Sequence, residues 1–243
     1  MERQIECVEV WGGKEACDIS VKLAGLRGEC LSMPFEGGSA GGDIHFLSVC
    51  GMSILSKMVL ADVSGHGAEV ADVAQVIHDA LLESIGAHDN STMLRHVNDS
   101  FLRRREGAFK FTTMVATIFD SRDRSVVYAY AGHPSMLHGR ATTGRFSPVV
   151  PDGRRGGVPL GVLPGTEYAQ HMVQTAPGDV LVLYTDAFTE AAVEPFGMLG
   201  EEGLCALLEE PGTLAPADLK EHLLGRMAGG IADDASLLVF EVL

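Results

Sequence analysis

Short runs of apolar and β-branched residues predict that this chain is rich in strands. Three turn segments, at Gly51-Met52, at the polar residues 120–124 and at Ala176-Pro177-Gly178, each separate two such runs. Each pair of runs therefore predicts a β-hairpin. The runs are residues 44–50, 53–62, 112–119, 125–131, 168–175, 179–185 and the closing strand 235–242.

Apolar residues recur every three or four positions in three further segments, which predicts amphipathic helices. These segments are residues 68–86, 92–105 and 216–228. Ser91 is expected to cap the second helix, and Pro216 suits the first turn of the third.

The dominance of hairpins over alternating strand and helix units favours antiparallel sheets. We therefore expect an α+β fold of two packed, mostly antiparallel β-sheets flanked by helix pairs. The glycine-rich residues 37–42 and the irregular segment 139–157 are too short to separate two domains. A single domain over residues 1–243 is the resulting expectation.

Composition narrows the class of protein. Apolar residues make up 46% of the 243 residues, and no window resembles a membrane span or a secretory signal, so a cytoplasmic protein is expected. The net charge of −15 disfavours a nucleic-acid partner, because most of the surface would repel a polyanion. Five cysteines without a CxxC pair predict reduced, buried thiols, and they support neither a zinc knuckle nor a dithiol redox motif.

Four aspartates stand at the ends of predicted strands. Asp43 follows two glycines just before one strand, and Asp62 ends the next. Asp186 follows the apolar run 180–184, and Asp233 precedes the last strand. A carboxylate at the end of a buried strand is costly unless it is paired, and no lysine or arginine lies near Asp186 in the sequence. A shared cation site is the simplest explanation.

The stretch from Asp62 to Gly67 is the most specific of these motifs, because it joins a strand to a helix through two glycines. Glycines let the backbone offer carbonyl groups to a hard cation, and the following helix N-terminus favours a phosphate. Oxygen-only ligands select Mg²⁺, Mn²⁺ or Ca²⁺ over zinc. Two such cations lower the pKa of a shared water and stabilise charge on a phosphoryl group, so the sequence predicts a two-metal phosphate hydrolase.

The motifs Gly-Gly-Asp, Asp-x-Ser-Gly-His-Gly, Tyr-Thr-Asp and Asp-Asp-x-Ser, in this order, resemble those of the type 2C (PPM) metal-dependent protein phosphatases. The similarity is greatest to their SpoIIE/RsbU-like bacterial branch. The motifs lie at residues 41–43, 62–67, 184–186 and 233–236, with supporting matches at residues 111–114, 131–134 and 157–162. The resemblance extends from about residue 37 to the C-terminus.

The resemblance implies an αββα sandwich that binds two Mn²⁺ or Mg²⁺ ions. Asp62 would bridge both ions, and the Val63 carbonyl would join one of them. Asp186 and Asp233 would complete the second ion's site, and Asp43 would serve the first through water. The implied activity is hydrolysis of phosphoserine or phosphothreonine by a metal-bridging hydroxide. In this branch the substrate is often an anti-anti-sigma-type regulatory protein in stress or sporulation signalling.

Two histidines stand inside the matching motifs. His66 is a candidate catalytic residue that protonates the leaving oxygen or binds phosphate, because imidazole titrates near neutrality. The alternative for His66 is a structural role in the loop. His133, in Ala-Gly-His-Pro, is expected to anchor a turn.

Two departures from the family pattern leave alternatives open. Ala187 stands where the family usually has glycine, and its methyl group is expected to press on the metal edge. Ala187 therefore keeps open a catalytically weak or inactive phosphoprotein-binding sensor of the same fold. The first 36 residues lack the usual lead-in helix and a sensor domain. A two-metal hydrolase of small phosphate esters is the second alternative, weakened by the scarcity of basic residues near the acids.

Overall fold

The computed structural model describes residues 2–50, 52–65, 70–87, 89–104, 110–151, 156–194, 197–227 and 229–243. The strands are β1 (Glu2–Gln4), β2 (Val10–Glu15), β3 (Cys17–Leu23), β4 (Leu26–Met33), β5 (Ala40–Cys50), β6 (Leu55–Val63), β7 (Thr112–Asp120), β8 (Ser125–Ala131), β9 (Leu137–Arg140), β10 (Arg145–Pro148), β11 (His171–Gln174), β12 (Val180–Tyr184), β13 (Ala192–Val193), β14 (Gly197–Met198) and β15 (Ala235–Val242). The helices are α1 (Ala71–Ser84), α2 (Asn90–Arg104), α3 (Ala187–Glu190), α4 (Gly200–Glu209) and α5 (Pro216–Arg226). Over the described ranges, no helix is both long and apolar enough to cross a membrane.

Two large sheets dominate the structure. One has seven strands in the order β1-β3-β4-β15-β12-β9-β10, and the other has six in the order β11-β8-β7-β6-β5-β2. The pairings are antiparallel except for the parallel β1–β3 pair at the edge. This architecture confirms the predicted α+β class with two mostly antiparallel sheets.

Side-chain alternation along the strands separates an inner core between the two sheets from two outer cores beneath the helices. In β5, Leu47 belongs to the inner core, whereas Phe46 packs in the outer core with residues of α1 and α2. In β15, Leu238 belongs to the inner core, whereas Val239 packs in the other outer core with residues of α4 and α5. The layers are therefore helix, sheet, sheet and helix.

Two of the three predicted hairpins are confirmed. Strands β5 and β6 pair from Ile44–Ala61 to Cys50–Leu55, and β7 and β8 pair up to Asp120–Ser125. Both hairpins lie in the centre of the six-stranded sheet, and in both a short turn joins two long apolar runs.

The third predicted hairpin is wrong. Strand β11 pairs with β8 in the six-stranded sheet, whereas β12 pairs with β9 and β15 in the seven-stranded sheet. The turn does form, since the Asp179 amide donates to the Ala176 carbonyl at 3.0 Å. It carries the chain from one sheet to the other, and a local turn pattern does not distinguish these two outcomes.

Several elements were missed. The first 36 residues, where no element was assigned, contribute four strands, and β4 pairs with the closing strand β15 along its whole length. Strands β9 and β10 lie within or beside the segment expected to be irregular, and α4 had no assignment. The missed strands are short or rich in charged and glycine residues, so tertiary pairing outweighs their weak local propensity.

The predicted cap of the second helix is also wrong. Helix α2 begins at Asn90, and the Thr92 amide donates to Asp89 Oδ1 at 2.7 Å. Asp89 therefore supplies the capping oxygen that was assigned to Ser91. Both residue types are good caps, so composition alone did not separate them.

The expectation of buried thiols holds for one cysteine. All five cysteines are free, but only Cys30 is buried; Cys17 and Cys205 are half-buried, and Cys7 and Cys50 are exposed. The exposed pair lies at the ends of strand pairings, where side chains leave the core.

Candidate metal centre

Two of the four predicted acids face each other on neighbouring strands. The register of β5 and β6 places Asp43 across from Asp62, one position beyond the pair Ile44–Ala61. Asp62 is half-buried near the end of β6, and only 2% of the surface of Asp43 is exposed. The alternation that sends Leu47 into the inner core also directs Asp43 toward the space between the sheets.

Asp43 is held by a small hydrogen-bond network at this end of the sandwich. Thr185 Oγ1 donates to Asp43 Oδ2 at 2.9 Å, and Thr185 Oγ1 accepts from the Ser236 amide at 2.9 Å. The other oxygen, Asp43 Oδ1, is buried and has no hydrogen-bond partner among the described residues. Burial, followed by the charge of Asp62, raises the pKa of Asp43 well above its usual range.

The remaining two acids come from the other sheet. Strands β12 and β15 are antiparallel neighbours. Asp186 follows the end of β12 and Asp233 precedes the start of β15, so the two acids lie at the same end of this strand pair. Burial raises the pKa of Asp62 to about 8, and repulsion from Asp186 and Asp233 adds to this shift. Burial, followed by repulsion from Glu190 and Asp233, also raises the pKa of Asp186. The structure thus brings all four acids together.

The adjacent acids Asp233 and Asp234 differ in their burial and contacts. Asp234 is buried and accepts hydrogen bonds from the amides of Phe35 at 2.6 Å and Gly42 at 2.7 Å. Asp233 is half-buried and lines a surface pocket. Asp234 therefore ties the start of β5 to the start of β15, while Asp233 keeps its carboxylate at the edge of the acidic group.

The two glycines before Asp43 allow this close approach. A Cβ atom on Gly41 would lie 2.5 Å from Asp234 Oδ1, which no side chain tolerates without displacing the carboxylate. A Cβ atom on Gly42 would lie 3.3 Å from the Val63 carbonyl oxygen. The carbonyl that the family resemblance assigns to a cation is thus beside the Gly42 backbone.

The turn after Asp62 is contacted by a basic residue that the sequence analysis missed. Lys110 Nζ donates to the Ser64 carbonyl at 3.2 Å, and the Ser64 amide donates to the Phe111 carbonyl at 3.0 Å. No sequence signal connects Lys110 to this turn, because the contact depends on the path of the chain just before β7. His66, the predicted proton donor, lies outside the described residues, as does the adjacent Gly67.

His133 is buried beside the acids. Its Nδ1 atom is 2.8 Å from Thr113 Oγ1, and Thr113 pairs with Asp62 across β6 and β7. Burial lowers the pKa of His133 to about 3, so the ring is neutral at physiological pH. This arrangement suits the anchoring role expected from the sequence and adds no positive charge to the group.

The methyl group of Ala187 packs in an outer hydrophobic core with Phe188 and Leu199. Only 3% of the Ala187 surface is exposed. The methyl group of Ala187 therefore fills space in the core beneath α4, and this packing accounts for alanine at the position without invoking a contact with the acids.

The donor set fits hard divalent cations. The four carboxylates and the Val63 carbonyl offer only oxygen, which Mg²⁺ and Mn²⁺ prefer. Within the described part of the chain, no lysine or arginine forms an ion pair with any of the four acids. Burial, followed by repulsion between the acids, raises the pKa values of Asp43, Asp62 and Asp186, and bound cations would counteract both effects.

Solved structures of phosphatases share this fold. The RsbU and RsbW domains of Rv1364c from Mycobacterium tuberculosis align with a TM-score of 0.77 and 26% identity, covering 93% of this chain and 62% of that chain. RsbX in complex with magnesium aligns with a TM-score of 0.70 and 15% identity, covering 93% of this chain and 100% of that chain. The fold is therefore that of the type 2C protein phosphatases.

Sequence comparison gives the family. Residues 56–243 match the family model of Stage II sporulation protein E (SpoIIE). The chain belongs to the SpoIIE family, within the PPM metal-dependent protein phosphatases. Phosphoserine phosphatase RsbU of Bacillus subtilis (strain 168) is 28% identical over 156 residues, which is 63% of this chain and 44% of that protein. The chain thus spans less than half the length of this relative.

Proposed function

We propose that this chain is a protein-serine/threonine phosphatase, organised as one catalytic domain, that hydrolyses phosphoserine or phosphothreonine on a regulatory partner. The observation that carries the proposal is the convergence of Asp43, Asp62, Asp186 and Asp233 at one edge of the sandwich without a described basic partner. Family membership and the phosphatase fold support the reaction class.

Each acid has a distinct part in the proposed site. Asp62 lies among the other carboxylates and is the group best placed to contact two Mn²⁺ or Mg²⁺ ions. Asp186 and Asp233 approach from the other sheet, and the Val63 carbonyl adds a neutral ligand. Asp43 is oriented by the hydrogen bond from Thr185, and it would bind the first cation through a water molecule. When bound, the cations would supply an activated water and would neutralise charge on the phosphoryl group.

The substrate would enter through a pocket of about 540 Å³ beside Asp186, lined among others by Thr113, His133, Thr189 and Glu190. His133 is neutral, and the described residues that line this pocket include no lysine or arginine. Phosphate binding then depends on the metal ions and on Lys110, near the turn that follows Asp62. His66, which follows Gly65 in the sequence, is the proposed proton donor to the leaving serine or threonine oxygen.

The partner is proposed to be an anti-anti-sigma-type domain. Support comes from the relatives, which include a phosphoserine phosphatase and a chain that joins RsbU and RsbW domains. A signalling location in the cytoplasm is part of the same proposal.

The test is phosphate release with Mn²⁺ from three substrates: a phosphoserine protein of this partner class, para-nitrophenyl phosphate and a nucleoside triphosphate. Asp62→Asn should lower turnover of the phosphoprotein more than about 100-fold, because changes outside the ligand shell alone cost 10–100-fold. The matched control is Asp72→Asn, which changes an exposed aspartate in the first turn of α1 and should leave turnover unchanged.

Each alternative function has its own outcome in this assay. Metal-dependent release from the nucleotide but not from the phosphoprotein would support a hydrolase of small phosphate esters. Binding of the phosphoprotein without turnover of any substrate would support the sensor. Near-normal turnover by folded Asp62→Asn would remove the proposed role of Asp62.

A further inference from the structure

Three potential metal ligands converge between the two sheets, outside the acidic group. Cys17 on β3 and Cys30 on β4 come from the seven-stranded sheet, and His45 on β5 comes from the six-stranded sheet. Cys17 Sγ is 3.6 Å from Cys30 Sγ and 3.6 Å from His45 Nε2. The three ligand atoms all lie within 4.8 Å of one another.

These distances match a tetrahedral metal site. Zinc binds cysteine sulfur at about 2.3 Å and histidine nitrogen at about 2.0–2.1 Å. In a tetrahedron, these bond lengths separate two sulfur ligands by about 3.8 Å and a sulfur from a nitrogen by about 3.6 Å. The two distances from Cys17 Sγ, each 3.6 Å, are close to these values, and the third pair of atoms lies within 4.8 Å.

We propose that Cys17, Cys30 and His45 form a zinc-binding site that links the two sheets. Two thiolates and an imidazole are ligands for zinc, in contrast to the all-oxygen set of the acidic group. His45 is two residues after Asp43 on the same strand, so one strand would serve two metal sites of different chemistry. The proposal does not depend on the proposed phosphatase function.

Solvent can reach this site at one position. Cys17 is half-buried and lines a surface pocket together with Phe35 and Asp233, whereas Cys30 and His45 are buried. An ion can therefore enter from the side of Cys17, and water can fill the fourth coordination position. The site resembles the open, three-ligand arrangement of zinc rather than the closed four-ligand one.

The protonation state of the thiols favours binding. A hydrogen bond with the Cys30 thiol lowers the pKa of Cys17 to about 5, so one thiolate is available at neutral pH. The same interaction and burial raise the pKa of Cys30, which keeps its proton while no ion is bound. Zinc binding would release that proton to solvent as the second sulfur becomes a ligand.

A disulfide is the main competing explanation. It would bring the sulfur atoms from 3.6 Å to about 2.05 Å and would leave His45 without a role. The 3.6 Å contact between His45 Nε2 and Cys17 Sγ is a sulfur–imidazole hydrogen bond in the metal-free protein, and it places the imidazole where a third ligand is needed. The sequence did not show this site, because its residues share no CxxC spacing and lie on three different strands.

Cobalt(II) replaces zinc in such sites and reports its ligands by absorption. We would titrate the full chain with Co²⁺ in a phosphine reductant that carries no thiol. The expected result is a near-ultraviolet band from thiolate-to-cobalt charge transfer, which one equivalent of Zn²⁺ abolishes. Co²⁺ bound at the carboxylates gives no such band, so Asp62→Asn should retain it.

Variants identify the ligands. Cys17→Ser and Cys30→Ser should each lose most of the charge-transfer band, and the matched control Cys205→Ser, in α4, should keep it. Circular dichroism would verify that each variant is folded, and the wild-type spectrum decides the question if one is not. Absence of the band in the wild-type chain would overturn the proposal. So would native mass spectrometry of chain purified without reductant, if it shows a Cys17–Cys30 disulfide and no zinc.

Discussion

At the scale of single residues, the site is defined by carboxylates that are unfavourable in the metal-free protein. Asp43 is almost fully buried, and Asp62 is repelled by four other acids, namely Asp186, Asp233, Asp234 and Glu190. The protein tolerates them by hydrogen bonding, by protonation or by cation binding, and these options respond differently to pH and to mutation.

Stability of the metal-free protein should fall as the pH rises, because the pKa of folded Asp62 is raised from 3.8 to about 8. A raised carboxyl pKa contributes stability that is complete below about pH 4 and is lost as the pH increases through about 8. Thermal unfolding in a chelator from pH 5 to 8.5 measures this loss. Asp62→Asn should show a shallower decline, and Mn²⁺ should stabilise the wild-type chain most at the alkaline end. Equal slopes for both proteins would contradict the assignment.

The pair Asp233 and Asp234 allows a matched comparison. Asp234→Asn should lower the free energy of unfolding by roughly 2–3 kcal/mol, because an amide cannot accept from both the Phe35 and Gly42 amides. Asp233→Asn should change the metal-free stability by less than about 0.5 kcal/mol while weakening Mn²⁺ binding. Urea denaturation and calorimetric titration separate the two effects. If Asp233→Asn destabilised the protein and Asp234→Asn weakened Mn²⁺ binding instead, Asp234 would be the metal ligand and Asp233 the structural residue.

At the scale of secondary structure, strand ends position the site. Strands β5 and β6 deliver Asp43 and Asp62 from one sheet, and β12 and β15 deliver Asp186 and Asp233 from the other. Hydrophobic runs that stop at an acid are a local pattern, so these four positions could be chosen from the sequence. The cost of burying unpaired carboxylates then predicted a shared cation site, and the family resemblance supplied the role of each acid.

Long-range pairing set the limit of sequence prediction. The pairing of β4 with β15 joins segments from opposite ends of the chain, and no local pattern specifies it. The same is true of β11 and β12, which follow a correctly located turn into different sheets. Asp234, Lys110 and the group of Cys17, Cys30 and His45 were missed as partners for this reason. Each contact exists only after the sheets are assembled.

An ion-pair group fastens α5 to the seven-stranded sheet. Lys220 is buried, and its Nζ atom lies 2.8 Å from Glu29 Oε2 and 2.5 Å from Asp18 Oδ1. Lys220→Met should lower the free energy of unfolding by about 3 kcal/mol, because Glu29 remains buried without its partner. Lys22→Met, at an exposed position of β3, is the control and should have little effect. A loss below about 1 kcal/mol in urea denaturation would show that Glu29 is solvated or protonated instead.

At the scale of the whole molecule, the sandwich separates two kinds of chemistry along its inner face. The acids lie where the ends of β5, β6, β12 and β15 meet. The sulfur and imidazole ligands gather around His45, which is two residues after Asp43 on β5. The helix pairs cover the outer faces and supply none of the four acids. The two sheets must therefore be docked before either site exists, which makes metal binding a report on the complete fold.

In the proposed site, carboxylates from the two sheets hold a pair of divalent cations. Diffraction from crystals grown with Mn²⁺, recorded where manganese scatters anomalously, would locate these ions. We expect two anomalous peaks about 3.5–4 Å apart, with Asp62 at both and with Asp186 and Asp233 at one of them. Peaks absent from this position in crystals saturated with Mn²⁺, or bound by other residues, would contradict the proposed site.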